Sequence, residues 1–252
     1  MCGLIGVLVG PRERTRREFA DIANLFSRLL VLSEHRGPHA TGAALVATAG
    51  DLLVEKAPMP AHLFVGTDGY RRLCEQVDTR TTVLMGHTRW PTQGSHYDNE
   101  NNQPLVSLTR SSVALTHNGH IPEVSDYFER FHLERKWEVD SEIVLRLACQ
   151  HLGGRGSSIS AFLQNLGLVA GHLAAVLVTS AQPDKVLFIR RDRPLHVAWH
   201  PACRVLLYAS EIPILRQAVS PLYPWQVRSL PPDTAWLVAC DAPDSPTVIP
   251  LP

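Results

Sequence analysis

Short apolar runs of strand length recur along this chain, and they constrain its fold more than any other feature. The runs are rich in aliphatic and β-branched residues and are bounded by Gly, Pro, Asp, Asn or Ser, which favours strands joined by turns. They read CGLIGVLVG, TGAALVATA, DLLVEKA, TTVLMGHTRW, SSVALTHNG, HLAAVLVTS, KVLFIRR, PLHVAW, CRVLLYAS and TAWLVA. The four runs between 170 and 209 predict one antiparallel meander.

Helical periodicity separates some of these runs. Phe19, Ile22, Phe26, Leu29 and Leu30 recur at helical spacing and predict an amphipathic helix over roughly residues 16–33. Further helices are expected near 122–134, from 140 to about 151, after the GGRGSS stretch and near 211–219.

The order of these elements predicts a single α+β domain over residues 1–252, because no internal repeat and no clear linker divides the chain. The tail from about 221 is proline-rich, and the sequence predicts one strand in it, TAWLVA. Residues 91–104 are too polar for a helix or strand and predict a long loop, a kind of segment that often carries function.

Composition excludes several classes of protein. Lys and Arg total 24 and so do Asp and Glu, so no net charge favours binding to nucleic acid or to an anionic membrane. Five cysteines lie far apart without a CxxC pair, which argues against a disulfide framework and for a reducing cytoplasm. The apolar opening lacks the basic segment of a secretory signal, and no run has the length of a membrane span.

The second residue is a cysteine. If Met1 is removed, Cys2 carries a thiol and a free α-amine, and the amine has a pKa of about 8 that suits it as a base for the thiol. A thiol needs such help at neutral pH, because the thiolate is the nucleophile. A protein can also begin Met-Cys without any catalytic reason.

Three other polar clusters lie at strand ends or turns. In THNG, Asn118 and the N–H of Gly119 are the donors that an oxyanion hole uses, although Asn-Gly is also a common tight turn. In HTRW, Arg89 can bind a carboxylate with two hydrogen bonds, and Trp90 can form a pocket wall. In VDSE, Asp140 can bind an ammonium group, cap a helix, or both.

Metal and cofactor motifs are missing from the sequence. His117 and His120 are three residues apart in HNGH, but no third ligand lies nearby. Neither GxGxxG nor GxxxxGK[ST] occurs. We therefore expect no metal and no cofactor.

Taken together, the ordered motifs resemble the class II glutamine amidotransferases, which are N-terminal nucleophile hydrolases. The family includes the glutaminase domains of glucosamine-6-phosphate synthase, amidophosphoribosyltransferase and asparagine synthetase. The resemblance covers essentially the whole chain and rests on MCGLIGVLVG, HRGPHATG, GHTRWPTQG, NNQP, ALTHNGHI, DSE, GHLAAVLV and YASE. It implies a four-layer α-β-β-α sandwich with two antiparallel sheets.

The resemblance also implies catalytic roles. Cys2 would attack the side-chain amide of glutamine, with its own α-amine as the base. Asn118 and Gly119 would stabilise the oxyanion. Ammonia would leave, a γ-glutamyl thioester would remain on Cys2, and water would release glutamate.

Substrate-binding roles follow from the same resemblance. Arg89 would bind the substrate α-carboxylate and Asp140 its α-ammonium group, while Trp90 and Thr92 would shape the pocket. Arg36 would order the site around the N-terminus.

Some positions depart from the family pattern. His39 stands where the family usually has Asp, Pro91 and Gln93 vary the loop after TRW, and residues 122–123 replace a polar continuation. None of these changes removes a proposed catalytic group.

The expected function is that of a stand-alone glutaminase or amidotransferase domain, because the chain ends near the family's domain boundary. It would deliver ammonia to a synthase partner in trans or cleave a small γ-glutamyl compound. One alternative is a non-catalytic glutamine-binding regulatory subunit. Another is an amidohydrolase for a different γ-glutamyl substrate.

Overall fold

A computed structural model describes residues 1–108, 111–154, 156–219 and 224–252. These residues form thirteen strands: β1 Gly3–Val9, β2 Ala40–Ala47, β3 Leu52–Ala57, β4 Thr81–Arg89, β5 Leu105–Ser107, β6 Val113–His120, β7 His172–Thr179, β8 Gln182–Arg190, β9 His196–His200, β10 Val205–Ala209, β11 Gln226–Ser229, β12 Thr234–Ala239 and β13 Thr247–Pro250. They also form seven α-helices: α1 Arg16–Ser33, α2 Ala61–Phe64, α3 Asp68–Glu75, α4 Val124–Arg130, α5 Glu142–Leu152, α6 Ile159–Gly167 and α7 Ile212–Ala218.

The strands form two sheets, and the described ladders are antiparallel. One sheet has the order β11-β9-β10-β1-β4-β2-β3, and the other has the order β13-β12-β8-β7-β6-β5. In the first sheet β1 lies between β10 and β4, with Gly6 opposite both Tyr208 and Met85. The strand that follows Cys2 is therefore held on both sides.

The core has three apolar layers, which the strand period explains. Ile5 and Val7 of β1 face α1, whereas Leu4 and Leu8 face the second sheet, because successive strand residues point to opposite faces. A third cluster packs α5 and α6 against the outer face of the second sheet. The predicted α-β-β-α sandwich is confirmed.

Helix α1 and the first hairpin follow the sequence closely. The predicted helix over 16–33 spans Arg16–Ser33, and Thr15 begins it because its side chain and that of Glu18 form a capping box. β2 and β3 are the strands expected from TGAALVATA and DLLVEKA, and they pair antiparallel as a hairpin. Helix α4 is shorter than the expected 122–134, covering Val124–Arg130.

The predicted single meander between 170 and 209 is wrong. β7 and β8 pair in the second sheet, but β9 and β10 belong to the first, where β10 pairs with β1. The chain changes sheets near Leu195, which is buried between them. Both faces of β9 and β10 are largely buried, so no exposed polar face assigns these strands to a sheet.

The tail has more strands than the one predicted. Besides the predicted β12, the described residues after 223 include β11 and β13, each four residues long. Both pair on one side only among the described strands, at sheet edges. Their side chains are mostly exposed, so they lack the apolar signal of a buried strand. The predicted tail boundary near 221 falls outside the described residues.

Candidate active site

Three strands of the two sheets present polar residues at one end of the space between the sheets. Leu4, Met85 and Ala114 face that space from β1, β4 and β6. The two-residue period of a strand therefore turns Cys2 and Arg89 toward it, and likewise Asn118, four residues after Ala114. β1 and β6 are in contact across the gap.

The Cys2 thiol lies against the main chain after β4. Its Sγ is 3.5 Å from the carbonyl oxygen of Trp90. Burial raises the pKa of Cys2, while the bond to Trp90 and the positive charges of the chain terminus and Arg89 act in the opposite direction. The negative charge of Asp140 adds to the rise. Arg89 and Asp140 therefore lie close enough to the thiol for their charges to influence its pKa.

Arg36 holds the main chain of Cys2. Its Nε donates to the Cys2 carbonyl oxygen at 2.9 Å, and its Nη1 forms an ion pair with Glu211. The guanidinium is almost fully buried, whereas the Glu211 side chain is 32% exposed, so one side of the pair is open to solvent. Arg36 thus lies where the sequence expects it, beside the N-terminus.

Gly37 explains why a glycine follows Arg36. A Cβ at this position would lie 2.3 Å from the carbonyl carbon of Arg89 and 2.6 Å from the nitrogen of Trp90. Only a residue without a side chain allows the two backbones to approach this closely. The Arg-Gly pair therefore places the Arg36 side chain and the end of β4 beside Cys2.

Arg89 is buried and already has four acceptors in the following loop. Nη1 donates to Asn102 Oδ1 at 2.7 Å and to Ser95 O at 3.3 Å. Nη2 donates to Gln93 O at 2.6 Å and to Gly94 O at 2.9 Å. All four Nη hydrogens are thereby used, so a substrate carboxylate on these nitrogens must replace loop acceptors.

The loop after Arg89 forms the rim of the site. Trp90 is 47% exposed, and its ring meets the His39 ring edge-on at 5.0 Å. Thr92 is exposed on the same loop. His39 thus contacts the rim through its ring, and its backbone N–H donates to Arg89 O at 3.2 Å.

The proposed oxyanion donors lie at the end of β6. Asn118 is buried, and its Nδ2 has no hydrogen-bond partner among the described residues. A buried unpaired donor costs free energy, so this amide is suited to donate to a negatively charged oxygen that reaches it. Gly119 pairs with Leu173 of β7, and a Cβ on it would lie 1.8 Å from His172 O.

Asp140 lies just before α5 and is buried. Oδ2 accepts from Ile121 N at 2.8 Å and lies 3.7 Å from His120 Nδ1. Oδ1 is 3.4 Å from Ser141 Oγ. The carboxylate is therefore fixed beside the residue that directly follows β6.

The residues that the structure describes contain no group of three or more His, Cys, Asp and Glu side chains placed to hold a metal ion. No helix among them combines the length and apolar character needed to cross a membrane.

Comparison with known proteins now adds to this geometry. Residues 88–217, from the end of β4 to α7, match the family model described as a glutamine amidotransferase domain. The match covers more than half of the 252 residues.

The chain belongs to the class II glutamine amidotransferases.

Relatives and a solved structure agree with this assignment. Glutamine–fructose-6-phosphate aminotransferase (isomerizing) of Aeropyrum pernix is 34% identical over 203 residues, 78% of this chain and 30% of that protein. The Aquifex aeolicus protein of the same name is 27% identical over 242 residues, 93% of this chain and 37% of that protein. Glutamine phosphoribosylpyrophosphate amidotransferase from B. subtilis shares the fold, with a TM-score of 0.72 and 18% identity over 100% of this chain and 49% of that chain. This class II chain spans about a third of the length of the curated relatives it matches.

Sequence reasoning missed some residues that build this amidotransferase site. Glu211 pairs with Arg36, and Ser210 Oγ accepts from Leu4 N at 2.9 Å, so the YASE motif holds the start of β1. Lys56 of β3 donates to Asn102 O at 2.8 Å and supports the loop that binds Arg89. The YASE motif indicated Ser210 and Glu211, whereas nothing in the sequence singles out Lys56.

Proposed function

We propose that this class II amidotransferase domain hydrolyses the side-chain amide of glutamine, or of a related γ-glutamyl compound, with Cys2 as the nucleophile. The supporting observation is the placement of Cys2, Arg89 and Asn118 at one end of the space between the sheets, with Asn118 Nδ2 buried and unpaired among the described residues. A thiol, a carboxylate binder and an amide donor are what this reaction needs.

The proposed reaction requires that Met1 be removed. The freed α-amine of Cys2 takes the thiol proton, and Sγ attacks the amide carbon. The carbonyl π electrons move to oxygen, where Asn118 Nδ2 and the Gly119 N–H stabilise the charge. The oxyanion then collapses, the protonated amine passes its proton to the leaving nitrogen, and ammonia departs.

The second half of the reaction restores the enzyme. Water loses a proton to the α-amine and attacks the γ-glutamyl thioester on Cys2. The same donors stabilise the second oxyanion. The C–S bond breaks, the thiol regains its proton, and glutamate leaves.

Substrate recognition is proposed to use opposite charges. Arg89 binds the α-carboxylate and Asp140 the α-ammonium group, and both lie within electrostatic reach of Cys2. Trp90 and Thr92, on the exposed rim, close over the bound amino acid. Arg36 acts indirectly, because it holds the Cys2 carbonyl rather than the substrate.

The ammonia is proposed to reach an acceptor outside residues 1–252, which we propose form one domain. In support, the matched relatives are named as aminotransferases, and this chain corresponds to about a third of their length. We propose a synthase partner in trans, in the reducing cytoplasm, because the five cysteines are unpaired and the reaction needs a free thiol. No metal or cofactor is needed for this chemistry.

The function is tested by glutamate release. Purified protein is incubated with glutamine, with a short series of other γ-glutamyl amides, and with Cys2→Ala and Cys74→Ala variants. Cys74 is a half-buried thiol on α3 and is the matched control. We expect release by the wild type and by Cys74→Ala, and none by Cys2→Ala.

Two outcomes would contradict the proposal. Release that persists in Cys2→Ala would remove Cys2 as the nucleophile. Glutamine binding without hydrolysis, unchanged in Cys2→Ala, would instead identify a regulatory glutamine-binding subunit.

A further inference from the structure

Several residues of the ordered motifs have no role in the reaction just described. They are His87 of GHTRW, Gln103 of NNQP, His117 of HNG and Ser141 of DSE. All four are buried. They are separated in the sequence by up to 54 positions, yet they form one continuous hydrogen-bond network.

His117 is the centre of this network. Its N–H donates to Gln103 Oε1 at 2.5 Å, and its carbonyl oxygen lies 3.2 Å from His87 Nε2. Its ring Nδ1 lies 2.9 Å from Ser141 Oγ. Gln103 Nε2 also donates to Ser141 Oγ at 3.1 Å, so two of the three partners of His117 are themselves joined.

The network replaces a missing strand. β5 begins at Leu105, which lies opposite Leu115, two residues before His117. The Gln103 side chain therefore supplies the acceptor for His117 N–H that a longer β5 would have supplied from its backbone. The end of β6 thus depends on side chains at the very point where Asn118 and Gly119 follow.

His87 fixes the peptide that joins His117 to Asn118. It is fully buried on β4, opposite Leu4 of β1, and burial lowers its pKa to about 3, so the ring is neutral. Since the partner is a carbonyl oxygen, Nε2 carries the proton and donates. The strand beside the nucleophile strand is thereby tied to the strand of the oxyanion donors.

We propose that His87, Gln103 and Ser141 are positioning residues, which fix the His117 main chain and ring and thereby hold Asn118 and Gly119 at the oxyanion. The proposal rests on the function proposed above. None of the three needs to touch the substrate, because each acts through His117. Ser141 Oγ also lies 3.4 Å from Asp140 Oδ1, so its variants are compared with those of His87 and Gln103, which have no such contact. A donor displaced by about 1 Å costs about 100-fold in rate, so even a small shift of this peptide is measurable.

Matched pairs of variants separate positioning from general packing. His87→Gln keeps a donor near the place of Nε2, whereas His87→Leu removes it. Ser141→Thr keeps the hydroxyl, whereas Ser141→Ala deletes it and little else. Gln103→Met keeps the length and volume of the side chain but removes the acceptor.

The readouts are kcat and KM for glutamine, the rate at which iodoacetamide alkylates Cys2, and the thermal unfolding midpoint. For His87→Leu, Gln103→Met and Ser141→Ala we expect kcat to fall about 10- to 100-fold. KM should change less than about threefold, and Cys2 should be alkylated at the wild-type rate. Neither glutamine binding nor alkylation forms the oxyanion, so neither depends on the exact position of its donors. His87→Gln and Ser141→Thr should recover most of kcat.

The outcomes that would overturn the positioning proposal differ from those that would refute the proposed function. Wild-type kcat in the folded deletion variants would overturn the proposal, and so would kcat and alkylation falling together without recovery in the conservative variants. If His87→Leu does not fold, Ser141→Ala decides the question, since it removes a single hydroxyl. Lack of turnover by the wild type on any γ-glutamyl amide would refute the proposed function instead.

Discussion

The two halves of the candidate site differ in whether their hydrogen-bond donors already have partners. On the proposed oxyanion side, Asn118 Nδ2 is buried and unpaired among the described residues, and the peptide before it is held by side chains. On the proposed carboxylate side, Arg89 donates its four Nη hydrogens to the loop at Gln93, Gly94, Ser95 and Asn102. The first half thus has an unpaired donor, whereas the donors of the second are hydrogen-bonded to the protein's own loop.

This difference separates catalysis from binding. A preorganised oxyanion site needs no rearrangement when charge develops, and such sites supply much of an enzyme's rate. A carboxylate on Arg89, in contrast, must replace neutral loop carbonyls, and the exchange is favourable because charged acceptors bind a guanidinium more strongly. We infer that substrate binding moves the loop after Arg89, while the oxyanion side stays as it is.

The largest expected effect is on the oxyanion side. Asn118→Leu removes the unpaired donor and should lower kcat about 100- to 1,000-fold with little change in KM, measured by glutamate release. A change in KM alone would show that Asn118 binds the ground state, and the contrast between the two halves would then be lost.

Arg89→Lys should act mainly on binding. Lysine keeps the charge but not the paired donors, so KM for glutamine should rise about 10- to 100-fold with a smaller change in kcat. Loss of the loop contacts should also make residues 91–102 more sensitive to limited proteolysis. An unchanged cleavage rate would contradict the role of Arg89 in holding the loop.

Acid should destabilise the fold through the buried histidines of the proposed oxyanion side. Burial lowers the pKa of His87 to about 3 and also lowers the pKa of His117, so the unfolded chain binds more protons below its ordinary histidine pKa of about 6.5. The stability of the fold should therefore fall as the pH drops from about 6.5 toward 3, by up to about 1.4 kcal/mol per pH unit for His87, and His117 acts in the same direction. Urea unfolding of His87→Gln should show a shallower pH slope than the wild type. Equal slopes would mean that His87 is not buried neutral.

Alkali should weaken glutamine binding through Lys56, and this is the smallest of the expected effects. Burial lowers the pKa of Lys56 to about 8, so above that pH the amine loses its charge and donates less strongly to Asn102 O. KM should then rise about fivefold, equivalent to about 1 kcal/mol, and Lys56→Met should show that raised KM at every pH. Lys185→Met, on β8 of the other sheet, is the control and should leave KM unchanged.

Some elements of the fold could be predicted from the sequence, and others could not. Apolar runs bounded by turn residues located β1, β2 and β3, and helical spacing located α1, because each of these buries one recognisable apolar face or run. They could not assign β9 and β10 to a sheet, since both faces of these strands are buried. Short exposed edge strands such as β11 carry almost no apolar signal.

Candidate residues for the site could be named from the sequence, but their arrangement could not. Motif order singled out Cys2, Arg89, Asn118 and Asp140 as candidates, because each lies at the end of a recognisable strand or before a helix. The pairing of Arg89 with its own loop was not predictable, since that loop has no period and its shape depends on where its carbonyls lie. The network around His117 was missed for a related reason: its members meet only when the two sheets pack.

The central claim is that a processed Cys2 forms the acyl intermediate in this site. Intact mass spectrometry after an acid quench during glutamine turnover measures both parts of it. The account predicts a chain that begins at Cys2 and carries a γ-glutamyl group, which disappears in Cys2→Ala. Full activity in protein that still retains Met1, or an adduct that persists in Cys2→Ala, would contradict it.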